Sequence, residues 1–316
     1  MIMFSLKRTL VIGSVALVLV GCETGASQQQ QSSVIINSGA LYATPESAVD
    51  ALVTANREGD ERKLMQIFGP QAEKLVHSGD AVADEAGQKK FVGAYDAYHR
   101  LESDGGDKQL LVVGAEEWPL PIPLVHENDG WRFDVAEGQQ MIIARRIGRN
   151  ELNVIKICRE FVVAQREFAQ IRKRVNGFIE YAQRIDSKIG THDGLYWPVG
   201  PRETQSPLGP LLADAQAEGY ETISGRHTPY HGYYFRILKR QGPAAPAGEK
   251  DYVVNEHMTG GFALLATPAI YGDSGIKSFI VNQNGIVYEA DLGSDTVAAA
   301  AQIRAYDPDA NWQPVR

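Results

Sequence analysis

The chain has 316 residues, 44% of them hydrophobic and 22% charged, which excludes a fibrous or wholly disordered protein. That length exceeds the usual reach of one core and predicts two domains. The formal charge of −8 gives no electrostatic basis for binding nucleic acid.

In chain order, Lys7 and Arg8 precede an apolar run of thirteen residues, Thr9 to Gly21. A membrane-spanning helix needs about 20 such residues, so the run reads as an export signal, residues 1–21. It ends in Leu19-Val20-Gly21-Cys22, the pattern of a bacterial lipobox. Cys22 is therefore expected to carry lipid and to hold the mature chain on a membrane. Glu23 stands where an aspartate would favour inner-membrane retention, so an outer-membrane location facing the periplasm is expected. With Cys22 lipidated, Cys158 remains alone and is expected to be a buried, inert thiol.

Residues 22–42 are rich in Gln, Ser, Gly and Ala and read as a flexible tether. Thr44-Pro45 then caps a helix whose stripe is Ala48, Val49, Leu52 and Val53. Leu64, Ile67 and Phe68 mark a second helix, and Leu75 and Val76 a short third. Phe91, Tyr95, Tyr98 and Leu101 mark a fourth. Gln109–Gly114 reads as a strand. Trp118 to Val125 carries three alternating prolines and suits only an edge. Asn128-Asp129-Gly130 is a turn into a strand at Trp131–Val135. Helices followed by a small antiparallel sheet give an α+β domain over 43–136, cone-like in the manner of cystatin or nuclear-transport-factor folds. Such a cone encloses a cavity, for which Tyr95, Tyr98, Trp118 and Trp131 are candidate lining residues.

A connecting helix is expected over 137–148, interrupted by Gly148. A long helix follows, with Leu152, Ile155, Cys158, Phe161, Val162, Phe168, Ile171 and Val175 as its stripe. Asn176-Gly177 should break it and Phe178–Ile185 resume it. Loop signals run from Gly190 to Gly209, then a short helix from Leu208 to Ala217. Strands are expected at 232–239, 261–269, 278–282 and 286–290, the last two joined by Asn284-Gly285. The second domain, 149–316, is thus a long helix on an antiparallel sheet.

Several motifs invite chemistry. Gly272-Asp273-Ser274-Gly275 spells a serine-protease nucleophile motif, but lies between two strands where Gly, Asp and Ser make turns. His227, His231 and His257 are candidate metal ligands, though Pro229 and Gly232 argue against the helix that i, i+4 spacing would need. Tyr196, Trp197, Tyr230 and Tyr233 are candidates for an aromatic binding surface. The basic stretches around Arg145 and Arg172 read as solvated helix faces, or as contacts for anionic lipid or a partner.

Trp118-Pro-Leu-Pro-Ile-Pro-Leu124, Ile147-Gly-Arg-Asn-Glu-Leu152, Asp193-Gly-Leu-Tyr-Trp-Pro198, Ser206-Pro-Leu-Gly-Pro210 and Pro229-Tyr-His-Gly-Tyr-Tyr-Phe-Arg-Ile-Leu238 together carry a resemblance. They resemble the domain-of-unknown-function family number 2950, exported bacterial lipoproteins, over nearly the whole mature body. The resemblance implies no activity. The resemblance implies an acidic Asp-x-Asp-Gly stretch in many relatives where this chain reads Arg172-Lys-Arg-Val-Asn-Gly177. A calcium site there would lack its oxygen ligands in this chain. The half from Asn150 is also similar to the globular part of pilins and pseudopilins, on Asn150-Glu151-Leu152 opening the helix and on Gly275–Gly285. The apolar polymerising segment is replaced by Arg145, Arg146 and Arg149.

The leading expectation is a non-enzymatic, lipid-anchored periplasmic protein, an interaction or assembly module with an envelope protein as partner and no cofactor. The alternatives are a binding protein for a small envelope ligand held in the first domain's cavity, and a metal-dependent hydrolase using His227, His231 and His257.

Overall fold

The computed structural model describes residues 39–127, 130–199, 205–220 and 229–315. The signal segment, Cys22, the tether to residue 38, Asn128-Asp129, part of the 190–209 loop and His227 lie outside the described residues. The fold is α+β. Helix α1 (Pro45–Glu58) opens with a capping box: Thr44 Oγ1 accepts from Ser47 N at 3.1 Å, and Ser47 Oγ from Thr44 N at 3.2 Å. Its buried face is Ala48, Val49, Leu52 and Val53. Helices α2 (Glu61–Phe68), α3 (Glu73–Val76) and α4 (Ala81–Ala97) follow.

The fourth helix departs from the expected one at both ends. It starts at Ala81, N-capped by Asp80, and stops before Tyr98, which is extended. Leu101 belongs to strand β1 (His99–Ser103), because the chain there pairs with β2 (Lys108–Val113) along its whole length. The proline-rich segment gives only a two-residue strand, β3 (Trp118–Pro119), on β2. Strands β4 (Leu124–Glu127) and β5 (Gly130–Phe133) complete an antiparallel sheet in the order β1-β2-β4-β5.

Helix α5 (Val135–Asn176) runs unbroken for 42 residues, about 63 Å. Gly148 does not interrupt it, so the connecting helix over 137–148 and the helix from 149 are one element. The reason lies on its faces. Val135 packs in the core beneath the first sheet, and Val154, Cys158, Phe161, Val162 and Phe168 in a second core. Burial on both sides of Gly148 outweighs the penalty of about 1 kcal/mol for one helical glycine. Leu152 and Val175, expected in the stripe, point outward at 69% and 73% exposure. Gly138 is required where it stands, since a Cβ there would lie 2.0 Å from Pro121 O.

Gly177 ends α5 in the left-handed region at φ +82°. Residues 178–185 do not resume the helix. Instead Gln165, itself buried, bridges to the main chain of Ala182 in both directions, at 2.8 and 2.9 Å, and Tyr181 N donates to Met258 O. Helix α6 (Gly209–Ala217) and strand β6 (Tyr233–Leu238) follow. Two small ribbons come next: β7 (Arg240–Gln241) with β8 (Lys250–Asp251), and β9 (Val253–Val254) with β10 (His257–Met258). The second main sheet contains β6, β11 (Ala263–Pro268), β12 (Lys277–Asn282), β13 (Val287–Asp291) and β14 (Gln313–Pro314). Its order is β14-β13-β12-β11-β6, all antiparallel, with α7 (Thr296–Gln302) between β13 and β14 in sequence. Asn284-Gly285 turns between β12 and β13 as expected, with Gly285 at φ +79°.

Candidate functional site

Helix α4 has no buried residue, although it lies beside α1 and the first sheet. Its composition explains this. Ala83, Gly87, Ala94 and Ala97 line the space beneath it, and Phe91 is the one large apolar side chain that α4 contributes to that lining. Short side chains leave a gap that a Leu-rich helix would have filled. The gap is a cleft of about 820 Å³. Its floor is apolar: Leu52, Leu64, Phe68, Val113, Leu120 and Ile122. The volume and lining match those of sites that take small molecules.

One wall is the first half of α5, which brings Arg145, Arg146 and Arg149 to the cleft. These three differ in their engagements. Arg146 is mostly buried and ion-paired with Asp273, and donates to the carbonyls of Lys74 (2.8 Å) and Leu75 (3.0 Å). It is therefore a fixed strut. The Arg145 guanidinium stands 5.6 Å from the centre of the Trp118 ring. Arg149 is exposed and has no ion pair among the described residues. Asp84 also lines the cleft. Burial pushes its carboxyl up, against the hydrogen bonds from Ser78 and the charge of Arg146.

Of the aromatic residues expected at this cavity, Trp118 lines it. Tyr95, Tyr98 and Trp131 stand outside the lining. The Tyr95 ring stacks on His99 with centroids 3.7 Å apart. Tyr98 caps the end of α4 and accepts a hydrogen bond from Arg100. Trp131, on β5, packs beside His126, and its main chain pairs with Tyr42.

The second aromatic set is core and loop structure. Tyr233 is fully buried and donates to Lys277 O at 2.8 Å. Trp197 is buried against the His192 ring, and Tyr230 against Tyr220. Tyr196 is half-buried, with its main chain bonded to Ile185 and Ser187.

The histidines are held singly. His231 Nε2 lies 3.3 Å from Glu218, and its ring sits between Tyr220 and Tyr230; burial lowers its pKa. His257 Nδ1 lies 2.7 Å from Glu180, whose other oxygen accepts from Arg172. Among the described residues no group of three or more His, Cys, Asp or Glu is placed to hold a metal ion. The Gly272–Gly275 motif is a buried turn: Ser274 Oγ accepts from Ile270 N and donates to Ile270 O, and Ser274 O accepts from Asn150. Its hydroxyl is not presented to a substrate. Cys158 is fully buried and its thiol is pushed up to about 12 by burial.

Sequence reasoning missed Asp80. It is buried, caps α4 through Ala83 N, and accepts from Tyr220 Oη and Gly232 N, each at 2.8 Å. No local pattern marks such long-range partners. The arginine wall did leave a signal, three Arg within five residues on a helix.

Fold and site together define an α+β protein with two antiparallel sheets sharing one helix, and an open apolar cleft with a basic wall. The chain belongs to the family described as protein of unknown function (DUF2950), whose model matches residues 40–315. Comparison with curated proteins and with solved structures gave no match. Among the described residues no helix is long and apolar enough to cross a membrane.

Proposed function

We propose that this protein binds a small, largely apolar molecule in the cleft beneath α4, and that lipid on Cys22 holds it at the cell envelope. The observation behind this reading is a cleft of about 820 Å³ kept open by alanine and glycine on a helix that buries nothing. A protein with no use for the space gains stability by filling it, at about 25 cal/mol for each Å² of apolar surface removed from water. The geometry favours this role over the assembly module expected from the sequence, because the cleft is a concave, lined feature. It also favours it over a metal-dependent hydrolase, since His231 and His257 are each engaged by a separate carboxylate.

The test uses a neutral apolar fluorophore, N-phenyl-1-naphthylamine, with the full chain in nanodiscs or in buffer according to where it fractionates. Saturable enhancement above the blank is expected. Gly87→Leu should abolish it, because a side chain there enters open space in the cleft. The same change improves helix propensity, and an unchanged urea midpoint for the variant separates occupation of the cleft from unfolding. Equal enhancement in the wild type and Gly87→Leu would remove the reading.

A further inference from the structure

We propose that the natural ligand is an alkyl carboxylate, a lipid acid whose chain lies on the apolar floor while Arg145 and Arg149 hold its head at the mouth. This rests on the cleft being a ligand site. Arg145 and Arg149 are four residues apart in one helix, so they project from the same face about one turn apart. Both are exposed, and neither has an ion pair among the described residues. Arg145 is steadied over Trp118, which leaves the edge of its guanidinium, with its N–H donors, free to bind. Lys90 stands on α4 at the same cleft and is also without an ion pair. In a chain of net charge −8, such a concentration of unpaired cations beside an apolar floor is a local reversal of sign.

The two halves of the site select jointly. A neutral hydrocarbon would use the floor and leave the cations without a partner. A small polar anion would use the cations and leave Leu52, Phe68 and Ile122 without apolar contact. A carboxylate accepts charge-assisted hydrogen bonds from two guanidinium groups. Glu116 and Asp84 share the rim, which reduces the positive excess and suits one negative charge over two. Arg146 takes no part, since Asp273 and two carbonyls already occupy it.

The experiment is displacement of the bound apolar fluorophore from the full chain by dodecanoate, dodecanol and dodecyl phosphate, compared at equal free concentration. Dodecanoate is expected to displace it at least about tenfold more effectively than dodecanol. In the Arg145→Gln/Arg149→Gln double variant that preference should vanish while the fluorophore still binds. Arg145→Lys/Arg149→Lys, which keeps the charges, should retain part of it. Dodecanol matching dodecanoate on the wild type would overturn the head-group assignment and leave the cleft reading standing. Tighter displacement by dodecyl phosphate would overturn the carboxylate in favour of a phosphate. Failure of the fluorophore to bind at all would instead remove the cleft reading, and this inference with it.

Discussion

The carboxylate of Asp80 accepts the phenolic hydrogen of Tyr220 at 2.8 Å across 140 residues of chain. The same oxygen accepts from Gly232 N, while the other caps α4. One side chain thus fixes the start of the helix over the cleft and ties it to the second half of the molecule. Asp80→Ala removes a cap worth about 1 kcal/mol and leaves two donors short of a partner, at about 1–3 kcal/mol each if they stay dry. A loss of about 3 kcal/mol in urea unfolding is expected, with a smaller loss for Asp80→Asn. A change below about 0.5 kcal/mol, ordinary for a surface position, would contradict this account.

Two glycines of α5 should respond oppositely to alanine. Gly138→Ala drives a methyl into Pro121 O and should destabilise by about 1–3 kcal/mol. Gly148 has open space around it, so Gly148→Ala should stabilise by up to about 1 kcal/mol. Thermal unfolding of the two variants side by side checks the pair. A destabilised Gly148→Ala would mean that the helix bends at that point.

Glu180 predicts a pH dependence. Burial pushes its carboxyl up, but hydrogen bonds from His257 and Arg172 outweigh burial and leave it below its ordinary value. Between that lowered value and the ordinary one, near about 4.3, the unfolded chain binds more protons than the folded protein. Stability therefore rises with pH through this window. The contribution is complete above it and lost as pH falls through the folded value. The gap in melting temperature between wild type and Glu180→Gln should narrow from pH 6 to pH 3. A constant gap would show that ionisation of Glu180 contributes nothing.

The lipobox gives a prediction independent of the fold. The wild-type protein should take up radiolabelled palmitate and sediment with membranes, and Cys22→Ser should lose both properties. Equal labelling of the two would mean that Cys22 is not the acylated residue.

Much of the fold could be read from the chain, because local chemistry decided it. Thr44-Pro45 and Ser47 fix the start of α1. Asn284-Gly285 fixes the β12–β13 turn, and three prolines keep residues 118–123 off the centre of the sheet. The misreadings fall where distant contacts overrule local signals. Gly148 stays helical because α5 is buried on both sides of it, and 178–185 leaves the helix because Gln165 and Met258 bond its main chain. A cavity in the first domain was expected, but of its four expected aromatic lining residues only Trp118 lines the cleft. A run of small residues such as Ala81–Ala97 shows its open space only once a neighbouring sheet is in place.

Sharing α5 between two cores bears on how the molecule comes apart. Its first half lines the cleft and enters the first core through Val135 and Ile142, and its second half fills the second core. Melting either sheet strips one face of a continuous rod and uncovers the apolar side chains that held it. Each half of the molecule is then the template on which the other persists, so loss of structure should spread along the helix from whichever end fails first.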